Sequence, residues 1–225
     1  MRREQYLAAL GIDVFRARGR NASAADAEPL ADDPLTQSGA LDWQQLEAAV
    51  SVCTRCALHA GRTQTVFGVG RRDADLLVIG EAPGAEEDRL GEPFVGRAGH
   101  LLNAMLRAIG LNRQDIYIAN ILKCRPPNNR DPKQEEAACC TTYLERQIEL
   151  IAPRAVLAVG RIAAQHLLQS DQPIGRLRGQ KLEFGAERIP IVVTYHPAYL
   201  LRSPQAKAKA WQDLCLVRRL MADGE

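Results

Sequence analysis

The six cysteines are the side chains in this sequence with the widest chemical repertoire, and their spacing sets the first question. Cys53-Thr54-Arg55-Cys56 is a C-x-x-C, Cys124 follows far downstream, Cys139 and Cys140 are adjacent, and Cys215 stands near the C-terminal end. Met1-Arg2-Arg3-Glu4-Gln5-Tyr6 has no apolar run behind it and does not read as a secretory signal. The chain is therefore expected in the cytoplasm, with thiols that are reduced, metal-bound or catalytic rather than paired in structural disulfides. Four thiolates from two close pairs can surround Zn²⁺ or an iron–sulfur cluster. A thioredoxin-like redox pair competes for the C-x-x-C, but that motif opens a helix just after a strand, and this one precedes every strand. Small buried hydrophobes are the plainer reading of Cys124 and Cys140. Cys139 and Cys140 point differently from a helix, so one is a bystander, and spacing alone leaves open which. Cys215 reads as core packing.

Five further segments carry chemistry. Gly80-Glu81-Ala82-Pro83-Gly84 makes a tight turn whose backbone N–H groups can face a polar ligand, although the Glu86-Glu87-Asp88 that follows disfavours a phosphate. Gly91-Glu92-Pro93-Phe94-Val95-Gly96 sets one aromatic between glycines, as a core plug or as a stacking platform for a planar ligand. Asn120 ends an apolar run, where a buried amide is either a structural hydrogen bond or a reader of a heterocycle edge. Lys123-Cys124-Arg125-Pro126-Pro127-Asn128-Asn129-Arg130 is a basic, proline-stiffened loop beside a possible cluster ligand. Finally, Tyr195-His196-Pro197-Ala198-Tyr199-Leu200-Leu201-Arg202 offers a histidine as general acid/base or donor, and two leucines that read as exposed in a loop, like a wedge entering a duplex. Singly, each of these has an ordinary structural explanation.

What raises them is the set of elements that must hold them. Asp75–Ile79, Ile116–Ile121, Ala155–Val159 and Pro190–Thr194 read as short buried strands. Helices are expected over about 41–52, 98–109, 135–151, 162–168 and 205–221, the second closed by Gly110 and the third stopped near Pro153. Alternating strands and helices predict an α/β fold: a doubly wound, mainly parallel four-stranded sheet with helices on both faces, three layers in all. Ligands of such sheets sit beyond the carboxyl ends of the strands, which is where Glu81, Asn120 and His196 fall. Residues 1–40 are expected to be an N-terminal extension, a short helix over about 4–18 and then a flexible linker, with the ordered domain spanning 41–225.

Composition supports a globular protein, with 46% hydrophobic and 25% charged residues, and no run is apolar enough for a membrane span. The net charge of +2 is uneven. Residues 1–52 carry 5 basic and 8 acidic side chains, whereas 176–219 carry 9 and 3. The basic C-terminal lobe suggests a polyanion partner.

In combination, Cys53-x-x-Cys56, Gly80-Glu81-Ala82-Pro83-Gly84, Pro93-Phe94-Val95-Gly96, Asn120, Lys123-Cys124-Arg125-Pro126-Pro127 and His196-Pro197-Ala198-Tyr199-Leu200-Leu201-Arg202 resemble the family 4, iron–sulfur uracil-DNA glycosylases. The resemblance runs in order from about Cys53 to Met221. It implies hydrolysis of the N-glycosidic bond of a flipped deoxyuridine in single- or double-stranded DNA, leaving an abasic site. It also implies a four-iron–four-sulfur (4Fe-4S) cluster of structural purpose on Cys53, Cys56, Cys124 and Cys140. The family's third and fourth ligands are fifteen residues apart plus one step, which makes Cys139 the bystander. By the same resemblance Phe94 stacks on uracil, Asn120 reads its N3–H and O4, and His196 faces O2. The backbone around Ala82 and Gly84 touches the base, and Leu200, helped by Leu201, fills the vacated stack. Arg125, Arg130 and Arg202 are expected on the DNA backbone, and a monomer acting on the nucleoid is expected. Better-known members of the superfamily carry Asp at the position of Ala82 and Tyr at that of Gly84, so the water-activating carboxylate is open, with Glu87 first and Glu81 second. Competing readings are a covalently trapping uracil-DNA-binding protein, which needs a longer basic loop ending in histidine, a non-catalytic iron–sulfur DNA-binding module, and a generic nucleotide-binding domain.

Overall fold

The computed structural model describes residues 41–222, so the expected N-terminal extension over 1–40 lies outside the described residues. The chain enters through α1 (Trp43–Ser51), started by a reciprocal cap: the Asp42 carboxylate accepts from Gln45 N–H and the Gln45 amide oxygen from Asp42 N–H, each at 2.9 Å. There follow β1 (Val69–Gly70), β2 (Leu76–Gly80), α2 (Ala85–Leu90), α3 (Arg97–Ala108), β3 (Tyr117–Asn120), α4 (Gln134–Ile151), β4 (Ala155–Val159), α5 (Arg161–Leu167), α6 (Ile174–Leu177), β5 (Lys181–Phe184), β6 (Ile189–Thr194), α7 (Pro197–Arg202) and α8 (Lys207–Ala222).

The strands form one sheet of order β1-β3-β2-β4-β6-β5. The four expected strands are its centre and run parallel, whereas β1 and β5 are antiparallel edges that the sequence did not announce. The reason is visible in their residues. Central β2 and β4 are buried throughout, which produces unbroken apolar runs. By contrast β1 is two residues long, and β5 alternates exposed and half-buried side chains. One face of the sheet packs Leu77, Ile79, Val156 and Ala158 under α4 and α5. The other packs Leu76, Val78, Leu157 and Val159 under α3 and α8. These are the three layers.

Around β2 the connection direction reverses, to β3 on one side and to β4 on the other, which makes a crevice at the carboxyl edge. Register places Gly80 beside Asn120 and Val159 beside Thr194. The zipper continues past the strands, with Ile121 N–H donating to Gly80 O and Leu122 N–H to Glu81 O, both at 3.1 Å. Glu81, Asn120 and His196 are thereby held at one edge by backbone hydrogen bonding.

Two segments differ from expectation. The turn after β2 closes into helix α2, ended by Gly91 at φ 78. The Tyr195–Arg202 segment, read as a loop, contains helix α7, with Pro197 at its first position and the His196 ring as its cap. Proline pre-sets the helical φ and gives up only an N–H that has no helical partner.

Candidate active site

A cleft of about 550 Å³ opens at the carboxyl edge, lined among others by Glu81, Ala82, Gly84, Phe94, Asn120 and His196. Every residue expected to meet the base is therefore brought to one place. Asn120 ends β3 and is 2% exposed, yet its Oδ1 has no hydrogen-bond partner. A buried amide oxygen left unpaired costs about 1–3 kcal/mol, so this acceptor is built for a donor that arrives from outside. Room for it comes from Gly80, where any Cβ would collide with Asn120 Oδ1 and the Phe94 ring.

The Phe94 ring is buried 5.7 Å from the imidazole of His196 between centroids, tilted by 31°. Its backbone is in the left-handed region at φ 53 and is pinned from behind. Arg113 donates to Pro93 O at 2.6 Å and to Phe94 O at 3.3 Å, and Gly99 lies so close that a Cβ there would overlap the Phe94 carbonyl. Nothing in the Pro93-Phe94-Val95 motif itself pointed to Arg113, which is supplied by a different loop.

His196 Nδ1 accepts from Ala198 N–H at 3.1 Å. The ring proton of the neutral imidazole is consequently on Nε2. Burial, then the Arg202 guanidinium, pull the imidazole down to about 4, against the opposing charge of Glu87. Near neutral pH the residue is an uncharged Nε2–H donor. Gly160, at φ 101, leaves the space that the His196 ring fills.

The two candidate carboxylates differ in their surroundings. Glu87 has both oxygens occupied: Oε2 accepts from Gly84 N–H at 3.1 Å, and Oε1 from Val95 and Gly96 N–H at 3.0 Å each. It is a clasp between the Gly84 turn and the Phe94 loop, and its carboxylate takes the volume beside Gly84 that a side chain there would need. Glu87, expected first as the water-activating group, lines the cleft as Glu81 does, but with both oxygens engaged in this clasp. Glu81 lines the cleft, and its carboxyl is pushed up to about 7 by burial and by the charge of Asp131, against Arg161. Arg161 is itself bound to Asp131 at 2.7 Å.

Two further expectations are corrected. Leu200 is 1% exposed and belongs to the core beneath α3 and α8, so in this conformation it is not the wedge. Helix geometry instead exposes Tyr199 and Leu201, at 40% and 39%. Arg130 is not a free DNA contact: its guanidinium forks onto buried Glu136 at 2.6 and 2.8 Å. Lys123, in the same basic loop, is 1% exposed and turned into the core. Arg125 is half-buried and reaches Asn129 Oδ1 at 2.7 Å, while Arg202 lines the cleft.

Away from the cleft, Cys53, Cys56, Cys124, Cys139 and Cys140 line one small cavity together with Val50, Arg62 and Tyr143. All are free thiols, and among the described residues no three His, Cys, Asp or Glu side chains converge as ligands of one metal ion. Burial raises the thiols of Cys56 and Cys124 and pushes Cys140 up to about 12. Arg62 donates to Cys124 Sγ at 3.1 Å and to Cys53 O at 2.7 Å. Cys139, by contrast, is turned to the carbonyl of Arg55 at 3.4 Å. A partly buried, thiol-rich lining beside a guanidinium fits a soft, anionic group better than a hard cation.

The model of the uracil DNA glycosylase superfamily matches residues 67–215. A type-4 uracil-DNA glycosylase of Archaeoglobus fulgidus is 45% identical over 167 residues, 72% of this chain and 84% of the relative. That of Thermotoga maritima is 45% identical over 156 residues, 68% and 80% of the two chains. That of Pyrobaculum aerophilum is 38% identical over 182 residues, 78% and 93%. The chain belongs to the type-4 uracil-DNA glycosylases. Within this family reading, the long basic loop of the covalently trapping proteins has no counterpart, because the segment from Lys123 to Arg130 is short and contains no histidine. Among the described residues no helix of this glycosylase is long and apolar enough to cross a membrane.

Proposed function

We propose that the protein is a monofunctional DNA repair glycosylase that removes uracil from DNA by hydrolysing its N-glycosidic bond. The observation that carries this reading is the unpartnered, buried Asn120 Oδ1 in a cleft roofed by Phe94 and faced by a neutral His196. Uracil flipped onto Phe94 offers N3–H to Asn120 Oδ1 and O4 to its amide N–H. Cytosine lacks a proton at N3 in its neutral form, so the same amide rejects it.

As the bond to the sugar lengthens, the sugar gains oxocarbenium character and the departing base gains charge on O2. His196 Nε2–H donates to that oxygen, and being fixed beforehand by Ala198 N–H it needs no reorganisation. A neutral donor does this without bringing a buried charge into the cleft. In this reading Glu81, which lines the cleft, orients the water that attacks the sugar, in its deprotonated form. Extrusion of the base costs a few kcal/mol. Leu201 and Tyr199 are the exposed side chains of α7 that fill the gap, and Arg202 and Arg125 hold the phosphates.

Cys53, Cys56, Cys124 and Cys140 hold a 4Fe-4S cluster in this reading, and Cys139 stays outside it. When bound, the cluster supplies structural cross-linking between the segment after α1, the loop after β3 and α4. Arg62 would offset part of its charge. The enzyme acts as a monomer, in the cytoplasm and on nucleoid DNA.

The test is product analysis on an oligonucleotide with one labelled uracil. Free uracil and a strand break only after alkali are expected. A break before alkali, or a protein–DNA band that survives denaturation, would overturn the monofunctional reading.

A further inference from the structure

The most unusual buried group outside the cleft is Lys123, which lies three residues after Asn120 and immediately before Cys124. Its Nζ donates to Gln147 Oε1 at 2.6 Å, to Asn120 O at 2.9 Å and to Phe67 O at 3.3 Å. Three acceptors match the three N–H bonds of an ammonium group. Gln147, on α4 and 0% exposed, completes the network by donating to Phe67 O at 3.0 Å. An amine and an amide sealed inside an apolar core are costly where a methionine and a leucine would pack. The cost needs a return.

We infer that Lys123 is a positioning residue for base recognition, tying the main-chain carbonyl of Asn120 to α4. Asn120 is the last residue of β3, and its carbonyl lies at the end of the ladder. Lys123 Nζ fixes that end to Gln147, two turns along α4 from Cys140. The position of the Asn120 amide is thereby set by the helix that carries a thiol of the cysteine cavity. The inference rests on the reading of Asn120 as the uracil-contacting amide, and its test separates the two.

Single-turnover excision of uracil is measured for the wild type and for Lys123→Met, Asn120→Ala and the double variant. Inhibition by free uracil and thermal unfolding are followed in parallel. Displacement of a contact by a fraction of an ångström to 1 Å costs up to about 10²-fold in rate. Lys123→Met is expected to lose about 10- to 100-fold in the Asn120 background, with uracil inhibition weakened, and to lose under 3-fold in the Asn120→Ala background. Equal losses in both backgrounds would overturn the inference, since a merely structural lysine acts on either alike. An Asn120→Ala variant that excises normally would instead overturn the reading of Asn120. If Lys123→Met does not fold, Gln147→Met, which leaves the lysine but removes its anchor, must show the same background-dependent loss, and a background-independent loss would count against the inference.

Discussion

At the scale of single residues, the cleft brings together buried, preorganised polar groups, with His196 neutral near pH 7. His196→Ala removes one donor aimed at a developing charge, so a loss of about 10²–10³-fold in single-turnover excision is expected, with uracil-DNA binding largely retained. The two shifted groups also predict opposing pH effects. Glu81, pushed up to about 7, must be ionised to act on water, so excision is expected to fall as pH drops through 7. In Glu81→Gln that acid limb should vanish along with most of the activity; an unchanged limb would assign it elsewhere. For stability the signs are opposite. Native Glu81 holds its proton up to about 7 while the unfolded chain releases it near 4.5, so its contribution is present below 4.5 and is lost as pH rises through 7. Native His196 resists protonation down to about 4, whereas the unfolded chain takes a proton near 6.5. Its contribution is present above 6.5 and is lost as pH falls through 4, amounting to about 3 kcal/mol at the acid end. Urea unfolding of Glu81→Gln should therefore show steeper acid destabilisation between pH 4 and 6.5 than the wild type.

Secondary-structure elements decide which of these residues meet. Glu87 clasps the Gly84 turn to the Phe94 loop through three backbone N–H groups, and Arg113 holds the same loop from the other side. Glu87→Ala strands those donors in a half-buried site, at a cost of about 1–3 kcal/mol in urea unfolding. Because the Phe94 loop then keeps only the hold of Arg113, uracil inhibition should weaken more than unfolding stability alone would require. This is also the scale at which the sequence was least legible. The four parallel strands were readable because full burial writes continuous apolar runs, as in Leu76–Ile79. Edge strands β1 and β5 carry no such record, since one side of each faces solvent. His196-Pro197 carries the proline of a first helical turn, yet a six-residue helix is too short to show a helical period, so Leu200 reads as exposed and is in fact buried. Pairings such as Arg130 with Glu136 and Lys123 with Gln147 depend on tertiary approach, which local spacing does not encode. The candidate site itself was legible because Glu81, Asn120 and His196 sit at or just beyond strand ends.

For the whole molecule, cysteine placement separates structure from chemistry. Cys140 is buried in the shared cavity while Cys139 faces the Arg55 carbonyl. Cys140→Ser is expected to lose iron, sulfide and thermal stability together, while Cys139→Ser keeps all three; the reverse pattern would reassign the fourth ligand. Phosphate contacts through Arg125 and Arg202 should also make substrate binding weaken steeply with salt, and Arg202→Ala should shallow that slope by about one.

The most direct measurement compares single-turnover excision by the wild type and Asn120→Ala on oligonucleotides carrying one uracil or one thymine at the same site. The expected result is alkali-labile cleavage at uracil and none at thymine by the wild type, with a rate lowered by about 10²-fold or more in Asn120→Ala. Equal rates for the two proteins, or intact uracil-DNA after incubation with the wild type, would contradict a glycosylase built around the buried Asn120 amide.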